Sequence, residues 1–137
     1  MLRKRWQTCS LEPDMVQGVF IDSDKPTVPV TIAWNQAVQS PQFILDTGFT
    51  GDLVVTEQMA TDLGLEVSGV SSVKAAGHDV KHYQTASAIA VMEGQQLLVT
   101  AYIIPDGWPL LGISFMEKFS YKAEVDCKHK TVSLTTV

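Results

Sequence analysis

Arginine is nearly missing from this chain of 137 residues: Arg3 and Arg5 are the whole supply, both at the amino-terminal edge. Fifteen acidic residues against ten basic ones leave a net charge of −5. Nucleic-acid binders ordinarily carry a basic face, so no nucleic-acid partner is expected. Cysteine is scarce as well. Cys9 and Cys127 stand far apart without metal-like spacing, and they read as free thiols of a reducing, cytoplasmic compartment. Long apolar runs are absent too, since none approaches the ~20 residues of a membrane span. The basic opening "MLRKRW" passes straight into "QTCSLEPD" with no apolar core behind it, unlike a secretory leader. No membrane partner is expected. The length fits one domain with room for a core.

What is present is mostly β-signal. Residues 1–14 show no periodicity and hold the charged cluster, so they read as a flexible arm ahead of a single domain over 15–137. Met15 is an alternative natural start, because "MVQGVFID" is the first stretch with strand character. "TVPVTIAW" (27–34) alternates and is rich in β-branched residues, as a half-buried strand should be. "NQAVQSP" reads as a turn, and "QFILDTG" as a short apolar strand. "TEQMATDLGL" (56–65) reads as a helix capped by Thr56, with Met59, Ala60 and Leu63 on one face. Gly64 is placed to end it in the left-handed conformation, with Leu65 folding back. Strands broken by glycine turns follow to residue 104, and "PDGWP" is a turn. "LLGISFMEKF" reads as a buried strand end entering a helix, with Ser114 and Glu117 spaced as a capping box. "YKAEVDCKHKTVSLTTV" closes the chain as a hairpin. Strand, turn, apolar strand, glycine loop and short helix occur over 27–64 and again over 87–119. That is a repeat of architecture without a repeat of sequence.

The stretch "FILDTGFTGDLVV" (43–55) poses the functional question. An apolar strand ends on Asp46 and is followed at once by two turn glycines. A carboxylate is costly to bury unless paired or neutralised. Asp46 is then either a solvated turn residue bonding its own backbone or a carboxylate held for chemistry. "DTGFT" also fits the loose Asp-x-Gly-x-Thr pattern of actin-like ATPase hairpins. The chain, however, has no glycine-rich loop with a lysine and no acidic partner placed for magnesium.

Two elements together point elsewhere: apolar-apolar-Asp-Thr-Gly at 44–48, and apolar-apolar-Gly at 110–112 before a short helix. In this order, with a glycine-tipped hairpin between them, they resemble the retroviral-type aspartic peptidases. The match is nearest to small prokaryotic members carrying Asp-Thr-Gly-Phe, and it covers nearly everything from Met15 to Thr136. The resemblance implies a mainly β, retropepsin-like closed or partly open barrel with one or two short helices and one active-site half per chain. It implies a homodimeric aspartic endopeptidase that takes a peptide or protein substrate and needs no cofactor or metal. Asp46 would be catalytic. Thr47, Gly48 and Gly112 would support the loop, with Leu110 and Leu111 passing behind it. Two carboxylates sharing one proton can activate water and polarise a carbonyl together.

The chain departs from the viral pattern in two places. Viral members follow the glycine with alanine and then an acid that pairs with an arginine just after the second motif. Here Phe49 and Thr50 fill the first slots, and Ile113 and Ser114 follow Gly112, so that ion pair cannot form. Phe49 either packs inward or lines a pocket. Asp52 is expected as a solvated turn residue, with bonding to substrate backbone as the alternative. "KAAGHDVKHY" (74–83) is expected as a flap with Gly77 near its tip and Ala76 beside it; an ordinary surface hairpin is the other reading. Trp34 and Trp108 read as core or rim aromatics, Trp108 being placed to wall a cleft. His78 and His82 have the spacing of a helical zinc pair, but the hairpin around them would separate them. The rival functional class is a binding or dimerisation module of the same fold with little or no turnover.

Overall fold

The computed structural model describes residues 15–74 and 80–137, and these form a mainly β structure, a curled half-barrel sheet with two short helices. The first strands are β1 (Met15–Gln17), β2 (Val19–Ile21), β3 (Lys25–Pro29), β4 (Thr31–Trp34), β5 (Ala37–Gln39) and β6 (Gln42–Leu45). Then come β7 (Leu53–Thr56), helix α1 (Glu57–Leu63), β8 (Val67–Lys74), β9 (Val80–Met92) and β10 (Gln95–Ile104). The chain ends with β11 (Leu110–Leu111), helix α2 (Ile113–Lys118), β12 (Tyr121–Asp126) and β13 (Thr131–Thr136). No helix among the described residues is long and apolar enough to cross a membrane.

Two stretches that read as single strands are each divided. "MVQGVFID" breaks at Gly18, where a side chain would bring Cβ to 1.9 Å from the Thr27 carbonyl oxygen. The chain crosses there from the small sheet, ordered β1-β13-β12, to the large one. "TVPVTIAW" breaks at buried Val30, whose N–H donates to the Pro41 carbonyl at 3.1 Å. On one side β3 pairs with β2 and β6; on the other β4 pairs with β5 and β9. "NQAVQSP" is only partly a turn. Asn35 takes positive φ (52°), but Ala37–Gln39 returns as a strand along β4.

The middle of the large sheet runs β3-β6-β11-β7-β10-β9. It reads the same from either end in its pairings. The central pair β11–β7 is antiparallel, β6–β11 and β10–β7 are parallel, and β3–β6 and β9–β10 are antiparallel. Helix α1 follows β7 and helix α2 follows β11, so the repeated architecture is a pseudo-twofold about the β7–β11 pair. Val28, Phe43, Leu53, Leu111 and Phe115, all fully buried, belong to the core on its inner side.

Helix α1 forms as the sequence predicts. Thr56 Oγ1 accepts from the Met59 N–H at 3.2 Å, and Gly64 ends the helix at φ 71° with its N–H turned to the Ala60 and Thr61 carbonyls. Helix α2 does not. Its N-cap is Gly112, with no side-chain cap, so Ser114 sits inside the first turn and the capping box does not form.

Candidate active site

The local chain direction around Asp46 is set by backbone pairing. β11 runs parallel to β6, with Leu110 opposite Ile44 and Leu111 opposite Leu45. The Asp46 N–H donates to the Leu111 carbonyl at 2.9 Å, just where the strand stops. The loop then turns back on itself: the Phe49 N–H donates to the Asp46 carbonyl at 3.2 Å, and the Gly48 N–H donates to Asp46 Oδ1 at 2.9 Å. A Cβ on Gly48 would lie 3.2 Å from that same oxygen, so glycine lets the donor approach without crowding. Asp46 is half-buried, while Thr47 and Gly48 are exposed. The Gly48 bond taken alone is that of an ordinary Asx turn. What distinguishes this loop is the structure braced behind it.

That brace is helix α2. The Gly112 N–H donates to the Asp52 carbonyl at 2.9 Å, the Ile113 N–H to the Phe49 carbonyl at 2.9 Å, and the Ser114 N–H to the Gly51 carbonyl at 3.2 Å. A helix start leaves such donors without partners, and here the loop's own carbonyls take them. This also explains why the side-chain cap is absent. Gly112 is required by contact: a Cβ there would stand 2.3 Å from the Gly51 oxygen and 2.5 Å from Phe49 Cδ2. Phe49 turns inward, 8% exposed, and meets Tyr102 edge-on with ring centroids 5.1 Å apart. Its ring covers Gly51, where a Cβ would come within 2.6 Å of Phe49 Cζ. Little of the ring remains to line a pocket.

Asp52 overturns its expectation. It is 2% exposed rather than solvated. Its Oδ2 accepts from the Thr100 N–H at 2.8 Å and from Lys118 Nζ at 2.5 Å. Oδ1 is buried without a hydrogen-bond partner among the described residues. Loop and helix are thus joined by an acid and a base, Asp52 and Lys118, at positions other than 49, 50, 113 and 114.

Exposed Thr47 borders a mainly apolar groove of about 570 Å³, lined by Ile113, Met116, Tyr121, Ala123 and Val137 together with the polar Glu117 and Ser120. The groove is built by α2, β12 and the chain end. Trp108 is 44% exposed, with Lys25 Nζ 5.5 Å from its ring centroid. Trp34 is half-buried, and its Nε1 has no partner among the described residues. Gly77, Ala76 and His78 lie outside the described residues, as does the expected flap tip. The strands leading to it, β8 and β9, pair from Val67↔Ala86 to Lys74↔Val80. His82 Nδ1 bonds Ser72 Oγ across these strands at 2.8 Å. Among the described residues no three His, Cys, Asp or Glu side chains group to hold a metal ion.

With this geometry in place, comparison with solved structures identifies the fold. The chain is similar to a retropepsin-like aspartic protease from Rickettsia conorii, at 17% identity and TM-score 0.61, over 91% of this chain and 93% of that one. It is also similar to the EIAV protease in complex with an inhibitor, at 16% identity and TM-score 0.54, over 72% of this chain and 91% of that one. No protein-family model matches the sequence, and no curated protein matches it. The fold is retropepsin-like.

Proposed function

We propose that the chain is an aspartic endopeptidase in which Asp46 of two identical subunits forms the catalytic pair. The observation that carries this reading is the bracing of a single half-exposed carboxylate at the end of paired strands β6 and β11, with exposed Thr47 beside it on an apolar groove. One such loop per chain is half of a dyad, and a second copy seated over the groove supplies the other half. The ionised member of the pair takes a proton from water as its oxygen attacks the peptide carbonyl carbon. The protonated member donates to the carbonyl oxygen, and collapse of the resulting diol returns a proton to the leaving nitrogen. Neighbouring carboxylates cannot both ionise, a behaviour for which aspartic peptidases are the standard illustration. The reaction so written needs no cofactor.

The test is incubation with a mixed peptide library across pH, with and without a hydroxyl-bearing transition-state mimic. Asp46→Asn is expected to lower cleavage by about 10³-fold or more, with fold and dimer retained. Activity is expected to fall on both sides of a mildly acidic maximum. Cleavage by Asp46→Asn within about tenfold of wild type would remove Asp46 from the mechanism. An inactive wild type that still dimerises and binds peptides would instead favour a binding module.

A further inference from the structure

Asp52 is the only buried carboxylate among the described residues. Removing such a group from water is unfavourable, and a buried ion pair rarely repays that loss in stability. One carboxylate oxygen here even lacks a hydrogen bond among the described residues. What the residue does supply is attachment. Its main-chain carbonyl receives the Gly112 N–H at the start of α2, and its side chain receives Lys118 at the end of the same helix. Six residues of helix span about 9 Å, so a single residue grips both ends of α2. The Thr100 N–H adds a third anchor. It lies one step beyond the β7–β10 ladder, which begins at Leu53↔Ala101. Between these anchors run the carbonyls of Phe49 and Gly51 that accept from α2, and the Gly48 N–H that holds Asp46 Oδ1. A shift of α2 is therefore passed to the Asp46 carboxylate.

We propose that Asp52 and Lys118 are a positioning pair that seats α2 on the Asp46 loop and so sets the aim of the Asp46 carboxylate. The idea rests on the reading of Asp46 as catalytic. The Lys118 side chain is 41% exposed, so replacing it opens no hole in the core. In the full-length protein, Lys118→Met keeps the stem and removes the charge. It is expected to lower kcat by about ten- to a hundredfold while KM stays within about threefold. Lys118→Arg should restore kcat to within about threefold of wild type. The double variant Asp52→Asn/Lys118→Met should be no worse than the weaker single variant, because both remove one interaction. Amide exchange at Gly48, Phe49, Ile113 and Ser114 should quicken by about tenfold in Lys118→Met and not in Lys118→Arg.

Wild-type kcat and exchange in Lys118→Met would overturn the proposal. So would equal impairment of Lys118→Met and Lys118→Arg, or a loss of activity merely proportional to the loss of folded dimer. If the wild type cleaves no peptide, the catalytic reading fails, and exchange alone then decides the pair. Quickening confined to those four amides would still support the seating of α2. Uniform or absent quickening would refute it.

Discussion

At the scale of single residues, the loop that presents Asp46 depends on contacts a side chain would destroy. Gly112 is the sharpest case, because two of the three nearest obstacles to a Cβ, the Gly51 oxygen at 2.3 Å and the Phe49 oxygen at 2.7 Å, are backbone atoms. Gly112→Ala is expected to destabilise the fold by about 1–3 kcal/mol, the range for overpacking, measured as a shift in urea midpoint. Activity should fall further than that stability loss explains, because the displaced atoms belong to the Asp46 loop. Gly64 is the control: φ is 71° and nothing lies within 4 Å of a Cβ. Gly64→Ala should cost about 1–2 kcal/mol through left-handed backbone strain, yet leave activity per folded molecule unchanged. Equal activity losses in the two variants would separate Gly112 from the site. The local geometry of Asp46, Gly48 and Gly112, a strand end, a turn and a close approach, was legible because it lies within short motifs. That of Asp52 was not. "Gly-Asp" looks like a turn, and what buries it comes from Thr100 and Lys118, 48 and 66 residues away.

At the scale of elements, the same division between near and far contacts decides what was legible. Helix α1 carries its own start and stop in Thr56 and Gly64, so its bounds follow from local chemistry. Helix α2 starts where the carbonyls of Phe49, Gly51 and Asp52 take its first donors, and no local pattern reports that. The breaks at Gly18 and Val30 likewise come from contacts with Val132 and Pro41 outside their own stretches, whereas the strand at Ala37–Gln39 is a local hairpin with β4 hidden by turn-like residues. The β12–β13 hairpin was legible, and its turn is locally organised. The Asp126 carboxylate accepts from the backbone N–H groups of His129 and Lys128 and bonds the His129 ring. These bonds, the His129 backbone donor foremost, hold Asp126 below its ordinary pKa of 3.8. A depressed pKa means the turn is supported fully above the unfolded value, and that support is lost as pH falls through the folded one. Acidification below the ordinary carboxylate range should therefore release the Lys128 and His129 amides to exchange, after correction for intrinsic rates. Amides of β9 and β10 should keep their protection. Simultaneous loss in both regions would place the acid-sensitive group elsewhere.

At the scale of the whole molecule, the predominance of strands and the doubled architecture were readable, because period-two alternation and glycine loops recur along the chain. The mirror order of pairings about β7 and β11 was not, since strand pairing is settled between segments that the sequence keeps apart. That order has a consequence for assembly. The pseudo-twofold relates two halves of one chain, yet only the first half carries Asp-Thr-Gly, so in the proposed peptidase the second carboxylate is supplied by another copy. The surface offered for it is the apolar groove beside Thr47, on α2, β12 and the chain end. Its lining can be made polar without touching the core, because Ile113 is half-buried and Val137 is 81% exposed. The variant Ile113→Gln/Val137→Lys also adds no acidic charge near Asp46. Sedimentation is expected to show its dimer dissociating at protein concentrations about tenfold or more above those for wild type, a change of roughly 1.4 kcal/mol in association. Activity per chain should fall at low concentration and recover as concentration rises, because mass action refills the dimer. Unchanged association would move the contact to another face. A fully active monomer of either protein would dismiss the paired-carboxylate site itself.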